Sequence, residues 1–375
     1  MTNMLPPYRI ELFNNIASEE SIDFTVFFLS ESEKNRKWNI NKERIKFKYK
    51  ILKGYQIFFP KKDWALHLNR GVIRNLLGVK PDIIIAQYDE LAYWVAFLYA
   101  KIFRKKFVIW NGSTLLSSEK TKGIVGNVKK LLFKNTDAFV TYGSKASEYI
   151  RYFGISEDKI FTGCNTVDVE YFYNQSLLYK NSEEYKMRRN ELNKIVFVYS
   201  GQLILRKGIN VMLEAFKKIS KLTEDWNLTI IGDGILRQYI ESYIKENNME
   251  KNVLITGHLQ MDEIIKWYTL SDVLILPSHK EVWGLVINEA MACGNAIICS
   301  DKVGAGYDLV KKDFNGIVYH DESIDELFNS IVFLYENNQI LREYKQNSQK
   351  LILNCTQKAY AEKFIEAIKY LLSSR

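Results

Sequence analysis

The sequence alternates short runs of β-branched and aromatic residues with longer amphipathic segments along most of its 375 residues. This alternation is typical of βαβ units, in which helices connect the strands of a parallel sheet. Strands are predicted at 24–30, 45–52, 82–86, 107–110 and 138–141 in the first half, and at 195–200, 228–232, 253–256, 273–276, 296–300 and 316–319 in the second. The sequence therefore predicts an α/β protein with two Rossmann-like, doubly wound parallel-sheet domains.

A polar stretch without a strand pattern, residues 173–194, separates the two series and predicts an interdomain linker. We expect an N-terminal domain at residues 1–175 and a C-terminal domain at residues 176–358. The N-terminal domain starts unusually, because a turn at Pro6 and Pro7 leads directly into a helix where such a sheet normally has a strand. The first strand is therefore predicted to be absent or truncated to a stub at residues 1–5.

Composition excludes several classes of protein. A hydrophobic content of 47% with only 5 Pro and 19 Gly indicates a folded chain with large cores. The longest charge-free run, 107–118, is much shorter than the roughly 20 residues of a membrane span. The first ten residues do not resemble a secretory signal, so a cytoplasmic protein is expected. The four cysteines lack metal-binding spacing, which favours free thiols over zinc.

The net positive charge of the chain comes from its first half. Residues 1–180 contain 28 basic and 18 acidic side chains, whereas residues 181–375 contain 24 and 26. Alternation in 46–51 predicts a strand with one cationic and one buried face, and the apolar stripe of the helix at 122–134 is interpreted as core packing in preference to membrane insertion. The densest basic cluster comprises Lys34, Arg36, Lys37, Lys42, Arg44, Lys46, Lys48, Lys50 and Lys53.

The basic half leaves three interpretations open. It could contact anionic lipid at the inner face of the membrane, where each Lys or Arg contributes about 1 kcal/mol. It could hold a diphosphate-linked acceptor, or its charges could simply be solvated. Nucleic acid is not expected as a partner, since no binding motif supports it.

A possible anion site follows the strand at 195–200. The chain continues from Gly201 through Arg206 and Lys207 to Gly208, and an amphipathic helix begins at Ile209. A glycine turn at the carboxyl end of a strand, two cations and a helix N-terminus favour phosphate. The alternative is a solvated basic pair. A second pair of glycines, in Gly232-Asp233-Gly234, resembles the start of a dinucleotide fingerprint, but Arg237 occupies the third glycine position, so a tight turn is equally compatible.

Two glutamates eight residues apart form the other candidate group. Glu281 follows a predicted buried strand, and Glu289 lies on a helix that opens at Gly284. Both carboxylates could face one crevice, one suited to sugar hydroxyls and one to a ribose. The free backbone amides of 283–286 could bind phosphate or hydroxyl oxygens. The alternative is two surface glutamates, which is the usual place for this residue.

Taken together, these motifs resemble glycosyltransferase family 4. The resemblance runs from Pro6 through nearly the whole chain, and the second half contains Gly201…Arg206-Lys207-Gly208, Gly232-Asp233-Gly234, Thr256-Gly257-His258, Leu276-Pro277-Ser278…Glu281-x-x-Gly284-Leu285…Glu289-Ala290-Met291-Ala292-Cys293-Gly294 and Asn315-Gly316. In the first half, Pro6-Pro7-Tyr8-Arg9 and Thr141-Tyr142-Gly143-Ser144 are similar to acceptor-domain segments.

The resemblance implies a GT-B fold, in which two Rossmann-like domains face each other across a cleft and the last helix, 359–375, returns to the first domain. It implies retaining transfer of a hexose from a UDP- or GDP-linked sugar to a saccharide or lipid-linked saccharide, in surface polysaccharide biosynthesis. No metal or other cofactor is expected. The absence of an Asp-x-Asp motif agrees with this, because the metal-dependent alternative fold relies on one.

The resemblance also implies roles for individual residues. Lys207 and Arg206 would hold the donor diphosphate and stabilise the leaving group, and Glu281 would bind the donor sugar at the reacting centre. Glu289 would bind the ribose, and the loop at His258 and Leu259 would pack against the base. The further predicted donor contacts are Gly201, Trp283, Gly284 and Leu285, and residues on the acceptor or donor-sugar side are Pro7, Tyr8, Arg9 and Asn111.

Two departures from the family pattern leave alternatives open. Gln202 stands where many members have an arginine, and Asn111 stands where members often have a histidine. These changes and the missing strand would suit a non-catalytic sugar-nucleotide-binding protein. A sugar-nucleotide epimerase with the same double fold is the competing enzyme hypothesis.

Overall fold

A computed structural model of the protein describes residues 1–31, 41–59, 64–118, 121–192 and 194–373. The chain divides into two compact units: unit 1 comprises Met1–Leu115, Lys120–Asn165 and Gln357–Arg375, and unit 2 comprises Leu116–Glu119 and Thr166–Thr356. The main boundary therefore lies at Asn165, ten residues before the predicted one. The basic residues Lys34, Arg36 and Lys37 lie outside the described residues.

Unit 1 contains eight strands among its described residues: β1 Thr25–Phe28, β2 Lys48–Ile51, β3 Gly54–Phe59, β4 Trp64–Asn69, β5 Ile83–Ala86, β6 Lys106–Asn111, β7 Ala138–Thr141 and β8 Ile160–Thr162. Strands β5, β6, β7 and β8 form a parallel sheet in that order, and β1 pairs with β2 in parallel. The antiparallel hairpin of β3 and β4 was not predicted, and neither was β8. The hairpin and the three-residue β8 both lie outside the βαβ pattern on which the prediction relied.

The first residues form a short stub beside β1. Thr2 bridges Phe28 in parallel, and its backbone N–H donates to the carbonyl of Phe27 at 3.0 Å. The amino group of Met1 donates to the carbonyl of Ile85 on β5 at 2.6 Å. The first residues thus make hydrogen bonds to both β1 and β5.

Five helices of unit 1 are α1 Ile10–Ala17, α2 Val72–Val79, α3 Leu91–Ile102, α4 Gly123–Lys134 and α5 Ser144–Tyr152. The interpretation of the α4 stripe as core is wrong for most of its residues. Leu132 is buried, but the exposed fractions are 84% for Ile124 and 66% for Leu131. Strand β2 also departs from expectation, because Tyr49 and Ile51 remain about two-fifths exposed on its apolar face. Among the described residues, strand β2 pairs with β1 alone.

Unit 2 is built on a six-stranded parallel sheet whose strands are β9 Ile195–Ser200, β10 Trp226–Ile231, β11 Val253–Gly257, β12 Val273–Leu276, β13 Ala296–Ser300 and β14 Gly316–Tyr319. Their order is β11-β10-β9-β12-β13-β14, and all six predicted strands of this half are present. Strands β9, β12 and β13 are buried throughout, as expected of a parallel sheet covered on both faces.

The helices of unit 2 are α6 Val169–Lys180, α7 Glu183–Asn190, α8 Ile209–Ile219, α9 Arg237–Glu246, α10 Met261–Leu270, α11 Leu285–Cys293, α12 Gly304–Leu309, α13 Ile324–Glu336 and α14 Asn338–Ile352. The segment 173–194, predicted to be a linker, forms much of α6 and α7. Both helices belong to unit 2, and each begins at a side-chain cap, with Asp168 accepting from Tyr171 and Ser182 from Tyr185. A polar stretch without strand pattern therefore contained capped helices whose apolar contacts the sequence pattern did not reveal.

The last helix, α15 Gln357–Ser373, belongs to unit 1, as the resemblance implies. Tyr360, Phe364, Ala367 and Leu371 are buried in the core formed with α1 and the strands. The indole N–H of Trp110 on β6 donates to the Tyr360 hydroxyl at 2.7 Å. This helix closes one face of the unit 1 sheet.

We expect Phe364→Ala to lower the free energy of unfolding by about 3–5 kcal/mol, because it empties a fully buried aromatic position. Phe364 is 2% exposed and its ring lies 5.3 Å from that of Trp110. Urea denaturation measures the change. Leu372→Ala on the same helix is the control, because Leu372 is 43% exposed; an equal loss in both variants would contradict the packing assigned to α15.

Candidate functional site

The candidate site lies at the carboxyl ends of β9 and β12. These neighbouring strands occupy the point where the sheet order of unit 2 reverses, with β10 and β11 on one side and β13 and β14 on the other. Ligands of open α/β sheets bind outside the carboxyl ends of the strands at such a switch point. The loop after β9 contains Arg206 and Lys207, and the loop after β12 contains Glu281. Topology therefore brings these predicted residues to one edge of the sheet.

A glycine holds the two loops against each other. Gly208 has a φ of 67°, and a Cβ at this position would lie 1.8 Å from the carbonyl oxygen of Pro277. The backbone N–H of His279 also donates to the carbonyl of Arg206 at 3.0 Å. Glycine alone tolerates both the left-handed conformation and the close approach. The loop geometry thus depends on the last residue of the predicted Gly201-to-Gly208 motif.

Lys207 and Glu281 form an ion pair across the two loops. The Lys207 ammonium donates to Glu281 Oε2, and the two side chains are 14% and 15% exposed. Arg206 is exposed, and its guanidinium donates to the carbonyl of Lys280 at 2.9 Å. The pair therefore holds a cation and a carboxylate together at the switch point, with a second cation beside them.

The start of α11 supplies backbone donors next to this pair. Gly284 has a φ of 97° and precedes Leu285, the first residue of the helix. The strand-like segment before it is fixed, because Glu281 N–H donates to Lys302 O at 3.2 Å and Glu281 O accepts from Gly304 N–H at 3.1 Å. Within the described part of the chain, the N–H groups of 283–286 donate to no backbone carbonyl. They can donate to an oxygen of a ligand.

The Trp283 side chain is buried and packs inside unit 2, so its ring is not available to a ligand. Its side chain is 4% exposed, and its indole N–H donates to Asn288 Oδ1 at 3.0 Å. Its carbonyl accepts from Ala305 N–H at 2.9 Å. Of the Trp283 groups, only the backbone N–H remains for the predicted donor contact, while the ring anchors the loop to α11.

Glu289 lies one turn inside α11 in a partly buried position. The Tyr268 hydroxyl donates to Glu289 Oε2 at 3.0 Å. Burial raises the pKa of Glu289 to about 7, and the hydrogen bond from Tyr268 offsets part of that effect. Sequence reasoning missed Tyr268, because no motif marks the residue on α10 that faces this carboxylate. Glu289 is therefore poised between its protonated and ionised forms near neutral pH.

The second pair of glycines is explained by close packing. A Cβ on Gly232 would lie 1.9 Å from the carbonyl oxygen of Gly201, and one on Gly234 would lie 2.5 Å from that of Leu203. The loops after β9 and β10 are thus in backbone contact, which favours the tight-turn interpretation. Leu259, predicted to pack against the base, lies partly buried in the loop between β11 and α10, and His258 beside it is exposed.

The predicted acceptor-side residues of unit 1 make most of their contacts within that unit. Arg9 is 5% exposed and its guanidinium donates to Asn165 Oδ1 at 2.5 Å. It stacks against four rings, at centroid distances of 4.7 Å for Trp110, 5.4 Å for Tyr8, 5.5 Å for Tyr142 and 5.8 Å for Tyr360. Pro7 and Tyr8 are partly buried beside it.

Asn111 is 1% exposed and organises the loop after β6. Its amide donates to the carbonyls of Ser113 and Ala146, and its Oδ1 accepts from Ser113 N–H at 3.1 Å. The histidine position of the family thus contains a residue whose hydrogen bonds are made within unit 1. The acceptor-side role of these four residues stays a prediction.

One group of metal-ligating atoms occurs among the described residues. His279 Nδ1 lies 2.7 Å from Asp321 Oδ1, and these atoms and a carboxylate oxygen of Glu322 all lie within 4.8 Å of one another. His279 lies in the loop after β12, and its backbone N–H donates to the carbonyl of Arg206 in the loop after β9. The His279 side chain is thereby held in place by Asp321.

The chain is similar to known glycosyl transferases. Residues 181–351 match the model of the family described as "Glycosyl transferases group 1". Two uncharacterized glycosyltransferases of Methanocaldococcus jannaschii are each 25% identical to the chain. The first match covers 59% of this chain and 62% of the relative, and the second covers 91% and 88%.

Solved structures show the same fold. The Anabaena protein HepE in complex with UDP and glucose superposes with a TM-score of 0.73 at 19% identity, covering 98% of both chains. The apo lipopolysaccharide outer core galactosyltransferase WaaB superposes with a TM-score of 0.69 at 19% identity, covering 100% of this chain and 98% of the other. Residues 181–351 thus resemble a group 1 glycosyl transferase domain, and the chain has the fold of the GT-B glycosyltransferases.

We expect Glu289→Gln to stabilise the protein above pH 7 and to change little at pH 5. A carboxyl whose pKa is raised on folding favours the folded state at low pH, and that contribution is lost as pH rises from the unfolded value towards about 7. The neutral amide avoids the loss, which is on the order of 1–3 kcal/mol. Thermal unfolding across pH measures it, with exposed Glu246→Gln as control; a stability difference that is independent of pH would contradict the assignment.

Proposed function

We propose that the protein is a retaining glycosyltransferase that moves a hexose from a UDP- or GDP-linked sugar to a saccharide or lipid-linked saccharide in surface polysaccharide biosynthesis. The observation that carries the proposal is the Lys207–Glu281 pair at the switch point of unit 2. A cation for the diphosphate and a carboxylate for the sugar are adjacent there, and free helix amides follow three residues later. This is the arrangement that a nucleotide diphosphate sugar requires.

The cations would act on the leaving group. As the glycosidic bond to the diphosphate breaks, negative charge accumulates on the phosphate oxygen that departs. The Lys207 ammonium and the Arg206 guanidinium would stabilise that charge, and the N–H groups at the start of α11 would donate to the same diphosphate. Donors fixed in place before the reaction need no rearrangement as charge develops. In this proposal the two side chains do the work of a divalent cation, so no metal is required.

The carboxylates would position the two ends of the donor. Glu281 lies beside Lys207, where it would accept hydrogen bonds from hydroxyls of the donor sugar. Glu289 lies eight residues further along the chain, on α11, and would accept from the ribose hydroxyls, while Tyr268 donates to its Oε2. Retention of configuration and assignment to glycosyltransferase family 4 rest on the family resemblance, which supplies the mechanism.

The donor and the pathway draw support from the similar structures. HepE was solved with UDP and glucose, and WaaB is named for its role in the lipopolysaccharide outer core. A nucleotide sugar is therefore the expected donor, and a growing saccharide is the expected acceptor. The epimerase and the non-catalytic binding protein are the alternatives, and each predicts a distinct result when donor is supplied without and with acceptor.

We expect Lys207→Ala and Glu281→Gln each to lower kcat/KM for sugar transfer at least about tenfold, equivalent to about 1.4 kcal/mol of barrier. Each removes one partner of the charge arrangement around the leaving group. Transfer is measured with a panel of UDP- and GDP-sugars and a saccharide acceptor extract. Lys221→Ala is the matched control, because Lys221 is an exposed lysine of the same unit.

Three outcomes would contradict the proposal. Conversion of the donor to its epimer without acceptor would identify an epimerase. Donor binding without transfer or hydrolysis would identify a binding protein. Unchanged transfer in both variants would show that the reaction takes place elsewhere.

A second part of the proposal is that unit 1 contacts anionic membrane through α4. The exposed fractions of its apolar residues are 84% for Ile124, 43% for Val125, 45% for Val128 and 66% for Leu131. The lysines on the same helix are Lys129, Lys130 and Lys134, and Lys122 precedes it. An exposed apolar stripe with flanking lysines suits a helix that lies at a lipid surface. A lipid-linked acceptor would be met at that surface.

The helices of the described residues are all too short or too polar to cross a bilayer. Contact through α4 would therefore be peripheral. The basic edge strand β2, whose Lys48 and Lys50 are exposed, would add long-range attraction to anionic headgroups. The proposal accounts for a charge excess confined to one half of the chain.

We expect Ile124→Glu to weaken binding to phosphatidylglycerol vesicles about tenfold or more, because it removes a side chain worth about 1.5–3 kcal/mol on burial and adds a repelled charge. Co-sedimentation measures binding. Ile235→Glu is the matched control, since Ile235 in unit 2 is also 84% exposed. Equal loss in both variants, or binding that salt does not weaken, would contradict membrane contact through α4.

A further inference from the structure

Unit 2 contains a second basic site at the edge of its sheet opposite to the candidate active site. A cavity of about 430 Å³ is lined mainly by charged side chains, namely Lys180, Arg189, Lys194, Asp272, Arg342 and Lys345. Lys194 directly precedes β9 and Asp272 directly precedes β12, so the cavity lies at the amino ends of these strands. Lys207 and Glu281 follow the carboxyl ends of the same strands. The cavity, here called the basic cavity, is therefore separate from the donor site.

The charges around the basic cavity are unbalanced. Five cations line it, and Asp272 is its only carboxylate. Asp272 is 7% exposed and already pairs with Arg189 at 3.1 Å and with Lys345, and it accepts from Val196 N–H at 3.0 Å. These contacts engage both carboxylate oxygens of Asp272. The remaining cations, Lys180, Lys194 and Arg342, have no carboxylate within ion-pair distance in the described part of the chain.

The environment of Lys180 shows that this imbalance has a cost. Its side chain is partly buried. A Cβ built on Gly294 would lie 3.4 Å from Lys180 Nζ, so the ammonium packs closely against this glycine. Burial lowers the pKa of Lys180 and the nearby charge of Lys345 lowers it further, while Asp272 offsets only a smaller part of this effect. The ammonium is therefore destabilised there, and an anion bound beside it would reduce that destabilisation.

The other cations are arranged to meet a ligand. Lys194 is exposed and its ammonium lies 4.4 Å from the ring centroid of Tyr335, which limits the directions it can point. Arg342 is exposed on α14 and lies about one helical turn before Lys345, which lines the same cavity. Asn338 and Gln346 add neutral donors and acceptors to the lining. Charged groups for phosphate and amides for hydroxyls are thus combined in one cavity.

We propose that the basic cavity binds a small soluble phosphate ester carrying several negative charges, such as a sugar phosphate. Its volume falls in the range of about 300–1,000 Å³ typical of small-molecule sites. A lipid headgroup is a poorer fit, because the one large apolar residue of the lining, Leu341, is 6% exposed and offers nothing to insert into a bilayer. The inference does not depend on the proposed transfer reaction.

The test uses a protein whose donor site is already weakened. In a Lys207→Ala background, inorganic pyrophosphate and glucose 6-phosphate are titrated by isothermal calorimetry at constant ionic strength. We expect saturable binding that Arg342→Ala with Lys180→Met weakens at least about tenfold, because two charge-assisted contacts are removed. The matched control is Lys221→Ala with Lys251→Ala, which removes the same charge from exposed positions of unit 2.

Several outcomes would overturn the proposal. Absence of saturable binding in the Lys207→Ala background would overturn it. An equal loss of affinity in the control variant would also overturn it, because it would indicate general attraction to a basic surface. Arg342→Ala alone is the fallback if Lys180→Met fails to fold, since Arg342 is exposed, and unchanged affinity in that variant would also overturn it. Binding to phosphatidylglycerol vesicles should not respond to Arg342→Ala; a loss there would assign the cavity to a headgroup instead.

Discussion

The site of unit 2 depends on the backbone contact between Gly208 and Pro277. Because Gly208 lacks a side chain, the turn after β9 can approach the carbonyl after β12 more closely than any other residue would allow. That approach brings Lys207 to Glu281 and lets His279 donate to the carbonyl of Arg206. The opposite charges then stabilise each other in a partly buried position, where their attraction is stronger than in water. Without the glycine, the two loops would have to separate, and the pair with them.

Most of the architecture of unit 2 could be predicted from its sequence. Six strands alternate with helices, and the continuous hydrophobic runs of β9, β12 and β13 are typical of buried parallel strands. Because the strands are parallel, the loops that carry Lys207 and Glu281 were expected at the same edge of the sheet, but the ion pair between the two side chains was not predicted. What could not be predicted are contacts without a pattern. Tyr268 reaches Glu289 from a helix whose own sequence gives no sign of it, and helices α6 and α7 are held by caps and tertiary contacts within a stretch that reads as polar.

Unit 1 was harder to predict, because its exposed faces imitate buried ones. The stripe on α4 has the spacing of a core helix, yet only the structure shows that Ile124 and Leu131 face solvent. The alternation in β2 predicts a covered face, but an edge strand with a single neighbour leaves Tyr49 and Ile51 half uncovered. Periodicity reports that one side of an element is apolar. It does not report what, if anything, covers that side.

The environment of Arg9 has a consequence for synthesis of the chain. Its guanidinium is surrounded by rings from the first turn, from β6, from the end of β7 and from α15. A ribosome delivers these segments in order, and Tyr360 emerges more than three hundred residues after Arg9. Unit 2 is nearly continuous in sequence and can complete its sheet first. The core of unit 1 that α15 covers therefore stays exposed on the nascent chain until α15 leaves the ribosome.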